Sequence, residues 1–167
     1  VYLPLIVASF YLSWAKKERS LLARLVAIAA ACLVLPLAIN VDIPHPWFAA
    51  DAIAPKGWYL CALLTTYFAT TVPFVKTVIR ERNSTPWFVG SITVHVVATL
   101  AMAALAVQGY NYWTHVLVWA LLTGRAVAMP LLAKRRGVPW RPRNIGMPEI
   151  GYSLLVFATL PYGLAFP

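Results

Sequence analysis

The chain has 167 residues, of which 61% are hydrophobic and only 11% charged. So little charge excludes a water-soluble domain of this size, which needs polar groups over much of its surface. The net charge of +9 would suggest a nucleic-acid partner in a soluble protein; in so apolar a chain it points to a membrane surface, and no nucleic acid is expected.

A spanning helix needs roughly 20 apolar residues, so the length allows about six. Apolar runs at about 1–15, 21–39, 57–75, 86–107, 112–133 and 149–166 predict an all-α, polytopic transmembrane bundle of about six spans. No repeat or linker divides it, so a single helical domain is expected over 1–167. Alternating strand patterns are absent, which leaves helices as the way to satisfy the backbone in lipid.

The first run opens without a methionine, inside apolar sequence (Val1-Tyr2-Leu3-Pro4-Leu5), and residues upstream are expected to be missing. It ends at Lys16-Lys17-Glu18-Arg19-Ser20. The second run stops at Asn40, before a loop with Asp42, Pro44, His45, Pro46, Asp51 and Pro55. The third ends at Lys76, followed by Arg80-Glu81-Arg82-Asn83-Ser84. The fourth opens at Pro86-Trp87, where proline suits a first helical turn. After the turn Gln108-Gly109-Tyr110-Asn111, the fifth run leads to Lys134-Arg135-Arg136-Gly137, and the sixth starts near Pro148-Glu149.

If every run crosses, one side holds Lys16, Lys17, Arg19, Arg24, Lys76, Arg80, Arg82, Lys134, Arg135, Arg136, Arg141 and Arg143, twelve of the fourteen basic residues. The other side holds Lys56. This asymmetry predicts a bacterial cytoplasmic membrane protein with loops 16–20, 76–85 and 134–148 in the cytoplasm. Lys134, Arg135, Arg136, Arg141 and Arg143 are then expected to meet anionic lipid headgroups, at about 1 kcal/mol per basic residue near the surface. Trp14, Trp87 and Trp140 fall at this interface; Trp58, Tyr59, Tyr110, Tyr112 and Trp113 fall at the other.

Arg125 is the basic residue left inside a span, about eight residues or about 12 Å from the basic end. A charge at that depth costs at least ~2.5 kcal/mol, so it is expected to face protein and have a partner. His95 lies about 13 Å deep by the same rise, level with Arg125. Ser91, His95 and Thr99 form a polar stripe at i, i+4, i+8, and Thr66 approaches the same layer from the third span. Glu149, Tyr152 and Ser153 share one face of the sixth span, and Arg125 can reach inward towards Glu149. Together they outline a buried polar network or ligand site. The stiff loop 134–149, with Pro139, Pro142 and Pro148, is placed to lie over it.

No metal or cofactor is expected. Cys32 and Cys61 sit in apolar runs without a CxxC spacing, Asp42, His45, Asp51 and His115 have no ligand spacing, and His95 and His115 lie at different depths, a poor haem pair.

The stretch Arg141-Pro142-Arg143-Asn144-Ile145-Gly146-Met147-Pro148-Glu149-Ile150-Gly151, after Gly124-Arg125-Ala126-Val127-Ala128-Met129-Pro130, resembles the C-terminal part of the YwiC-like family of bacterial polytopic membrane proteins. Asn144 stands where that family usually has glutamine. The family's Pro-x-Gln-His-Gly-Ala-Trp segment is absent here, so the resemblance implies one or two N-terminal helices beyond this chain. It implies no established activity. Three functional readings follow: a small ligand-handling protein or carrier built on Arg125; an accessory or assembly subunit of a larger membrane complex, such as a respiratory one; and a membrane enzyme acting on a lipid or isoprenoid. The last is disfavoured because no acidic metal–diphosphate motif and no catalytic array is readable.

Overall fold

The computed structural model describes residues 2–15, 20–39, 55–161 and 163, and every regular element among them is helical. The helices are α1 (Tyr2–Trp14), α2 (Leu21–Cys32), α3 (Val34–Ile39), α4 (Pro55–Ile79), α5 (Thr85–Val107), α6 (Trp113–Arg136) and α7 (Pro142–Ala158). The basic stretch 16–19 and the loop 40–54, with Asp42, His45 and Asp51, lie outside the described residues.

Helices α4, α5 and α6 have 25, 23 and 24 residues and are long and apolar enough to cross a membrane. At the helical rise even 23 residues span about 35 Å, against a hydrocarbon core of about 30 Å. Shorter apolar helices cover Leu3–Leu12 and Leu21–Pro36. This is the helical membrane protein of about six helices that hydropathy predicts.

Several boundaries differ from the sequence reading. The second run is interrupted at Leu33, whose N–H turns back to the Ala29 and Ala31 carbonyls. Pro36 lies just beyond, and its missing N–H and bulky ring leave the Cys32 carbonyl without an α-helical donor. Helix α6 continues through Lys134, Arg135 and Arg136 to Gly137, which closes it at φ 65°. The three cations thus occupy a last helical turn, where they oppose the partial negative charge of the carbonyl end. The final helix begins at Pro142, with Arg141 at its N-cap, and ends at Ala158 rather than near 166. Proline is suited to that first position. Pro148, expected near the helix start, is instead inside α7, and the expected loop 134–148 shrinks to 137–141.

The chain divides into two compact units, Val1–Val72 and Pro73–Pro167, with the boundary inside α4. In the first, α1 packs on α2. In the second, α5 and α6 form a tight hairpin and α7 packs on α6. The α5 face turned inward carries Ser91, His95, Ala98, Met102 and Ala106; that of α6 carries His115, Val118, Trp119, Leu122, Arg125 and Ala126. Both follow i, i+3/i+4 spacing, and the alanines let the helices approach closely.

Candidate functional site

The second unit buries an ion pair. The Arg125 Nη1 of α6 donates to Glu149 Oε1 of α7, and the arginine side chain is 2% exposed against 17% for the glutamate. Aromatic rings flank the guanidinium. Its Cζ lies over the Phe74 ring, 4.0 Å from the centroid, and over the Tyr152 ring at 4.9 Å. Contacts of this kind stabilise a desolvated cation by about 2 kcal/mol. Phe74 also meets His95, centroid to centroid 6.4 Å with the rings at 75°. Arg125 and His95 therefore share one phenylalanine, and Glu149 and Tyr152 join them through Arg125.

His95 is fully buried, and its Nδ1 lies 2.7 Å from the Ser91 carbonyl. A carbonyl only accepts, so Nδ1 carries the proton and the neutral ring presents a bare lone pair at Nε2. That Nε2 has no hydrogen-bond partner among the described residues. Neither have Ser91 Oγ, Arg125 Nε, Arg125 Nη2 and Glu149 Oε2, and all five atoms are buried. Nε–H and one Nη2–H of a guanidinium point the same way, as a two-pronged fork that matches a carboxylate or phosphate edge. Glu149 occupies the opposite prong, so the fork on Arg125 is open. Such groups cost about 1–3 kcal/mol each when left unpaired.

The other residues expected here have different settings. The Thr99 hydroxyl sits 2.9 Å from Thr123 Oγ1, and Thr123 donates to the Trp119 carbonyl at 3.0 Å, a knot that ties α5 to α6. Thr66 belongs to the first unit, and its hydroxyl donates to the Ala62 carbonyl of its own helix at 2.8 Å. Ser153 is half-buried on α7. Arg135 and Arg143 are exposed in the last turn of α6 and the first of α7, and Arg141 is exposed at the α7 N-cap. Lys134 lines a cleft with the α4–α5 connection, and Arg136 stacks on Trp140 at 5.2 Å.

Phe74, Trp119 and Thr123 were not singled out from sequence. Trp119 is fully buried and donates its indole N–H to His115 Nε2 at 3.0 Å. That leaves the proton on His115 Nδ1, which reaches Thr159 Oγ1 at 2.9 Å, while Thr159 donates to the Leu155 carbonyl. His115 is thereby a satisfied link from α6 to the end of α7. For Phe74 a signal exists: it stands four residues after Thr70, on the helical stripe that the threonines begin.

The connection before α7 packs against the helices through Trp140. Phe74, Val78, Ala126 and Ile145 form a buried cluster, with Met129 and Trp140 packed against it. Trp140 Nε1 donates to the Met129 carbonyl at 2.8 Å, pinning residues 137–141 to α6.

Fold and site define a helical membrane protein with a buried Arg–Glu pair and, beside it, a histidine whose Nε2 has no partner among the described residues. The family model described as YwiC-like protein matches residues 1–39. That partial match covers α1, α2 and α3, and joins the resemblance read at 124–151, which lies outside the matched range, in pointing to one family. Comparison with curated proteins and with solved structures returns no match.

Proposed function

We propose that this is a small ligand-handling protein or carrier of the bacterial cytoplasmic membrane, whose guest docks on the open fork of Arg125. The observation that carries the reading is the set of buried, unpartnered polar atoms on Arg125, its partner Glu149, His95 and Ser91. The Arg125–Glu149 pair is electrically neutral, so a bare anion placed on it would leave one uncompensated charge in a low-dielectric setting. The guest that fits is an acid carried together with its proton. Its carboxylate or phosphate edge takes the Arg125 fork, and the proton is shared with His95 Nε2 or Glu149 Oε2. The charge asymmetry supports entry from the basic, cytoplasmic end.

Native mass spectrometry of the protein released from lipid tests this. The wild type is expected to retain a small-molecule mass that the Arg125→Gln/Glu149→Gln double variant loses while keeping its helical content. Identical spectra would overturn the reading.

A second reading rests on the closed contact itself. An ion pair made within the protein, on a chain with exposed apolar flanks such as Leu100, Leu117 and Leu121, also suits an accessory subunit of a larger membrane complex, with the pair as a helix lock. In that case the same spectra show partner subunits and no small-molecule adduct.

A further inference from the structure

A second polar site lies away from Arg125. The ends of α4, α5 and α6 enclose a cleft of about 670 Å³, lined by Arg80, Glu81, Arg82, Asn83, Ser84 and Lys134 over a floor that includes Val78, Pro130 and Ala133. This volume is within the range of small-molecule sites. The side chains of Arg80, Arg82 and Lys134 make no ion pair among the described residues, and neither does Glu81. Three cations against one carboxylate leave a lining charge of +2. Ser84 stands at the N-cap of α5 and its side chain makes no capping hydrogen bond, so a hydroxyl is added to the donors of the lining. A smaller cavity of about 230 Å³ shares Arg82, Asn83, Ser84, Pro130 and Lys134 and adds Phe88 and Leu131. The polar cleft is therefore continuous with an apolar strip on the α5–α6 flank.

We infer that this cleft binds a phosphate monoester group. Charge selects the ligand class: a monoester approaches −2 near neutral pH, the complement of the lining. Chemistry agrees, because two guanidinium forks, an ammonium, the Asn83 amide and the Ser84 hydroxyl are all donors to phosphate oxygens. The group can arrive on a lipid, with its acyl chain along Phe88 and Leu131, or as a free phosphate.

Native mass spectrometry of the full chain in neutral detergent distinguishes these sources. One arm titrates phosphatidic acid against phosphatidylglycerol, an anionic diester, and phosphatidylcholine; the other titrates inorganic phosphate alone and as a competitor. Phosphatidic acid is expected to bind in preference to both other lipids. Arg82→Gln and Lys134→Gln are each expected to weaken it roughly ten-fold, the effect of one charge-assisted hydrogen bond. Arg24→Gln removes the same charge from α2, outside the cleft lining, and is expected to leave binding unchanged. Saturable binding of inorganic phosphate, lost in the same two variants, assigns the site to free phosphate. Binding of phosphatidic acid that inorganic phosphate does not displace assigns it to lipid. No preference for phosphatidic acid over phosphatidylglycerol together with no binding of inorganic phosphate overturns the inference. Equal weakening by Arg24→Gln also overturns it, since that is diffuse surface charge.

Discussion

Removing one member of the Arg125–Glu149 pair strands the other in a buried setting, a loss of about 3–5 kcal/mol, whereas removing both strands neither charge. A double-mutant cycle with Arg125→Gln and Glu149→Gln is therefore expected to be strongly non-additive, with a coupling of about 2–3 kcal/mol in unfolding from mixed micelles. Additive losses would mean that the two side chains do not interact. Trp119→Phe is a milder probe at the same scale. It keeps most of the ring volume but leaves His115 Nε2 without its donor, at about 1–3 kcal/mol; a variant as stable as wild type would contradict the assigned hydrogen bond. Much of this chemistry is readable from residue types. An arginine and a histidine in apolar runs, and a glutamate at a span's edge, are costly enough to announce a site. Which prong of Arg125 stays open is not readable, because it depends on where Phe74 and Tyr152 place the guanidinium. Nor is the division of labour between the histidines: His115 is satisfied by Trp119 and Thr159, whereas His95 keeps a free lone pair.

Helix α6 ends at Gly137 with φ 65°, a backbone conformation that costs an L-residue about 1–2 kcal/mol. No atom lies within 4 Å of where a Cβ would stand, so Gly137→Ala tests backbone strain without a steric clash. At about 2–4 °C per kcal/mol for a chain of this length, its melting midpoint in detergent is expected to fall by roughly 2–8 °C. An unchanged midpoint would show that the left-handed cap is not required. The helix ends also explain why the sequence placed the last boundary late. Pro142 and Pro148 both read as helix starts, six residues apart, and hydropathy favours the second because Arg141, Arg143 and Asn144 precede it. What decides for the first is packing: Ile145, 2% exposed, belongs to the cluster with Phe74, Val78 and Ala126, and only a helix begun at Pro142 carries it there together with Glu149, one helical turn further on. The long central helices needed no such context, since largely apolar helices of 23 to 25 residues bounded by basic or turn sequence leave little choice in lipid.

For the whole molecule, the charge pattern makes a topological statement that the helices render testable. Helices α5 and α6 are each long enough to cross, and residues 108–112 join them, so the two ends of this hairpin must face opposite sides. The end with Arg82, Lys134, Arg135 and Arg136 is rich in cations, whereas the 108–112 turn carries none. That difference predicts the orientation, because cytoplasmic loops retain Lys and Arg. The native cysteines, Cys32 and Cys61, are buried, which keeps background labelling low. A single cysteine at Arg82 or Arg136 is expected to react with an impermeant maleimide in inside-out membrane vesicles and to be protected in intact spheroplasts; one at Tyr110 is expected to do the reverse. The opposite pattern would invert the orientation and place the phosphate cleft on the outer face, out of reach of cytoplasmic phosphate esters. Labelling of both ends from one side would be worse for the fold, since it would deny that α5 and α6 cross at all. The expected pattern puts the cleft and the basic end of α6 on the cytoplasmic face, with Arg125 eleven residues before Arg136 along that helix. At the helical rise the Arg125 guanidinium then sits about 16 Å along the helix from Arg136, a depth at which the guest proposed for it would have shed most of its water and would take from Arg125 the hydrogen bonds that water no longer supplies.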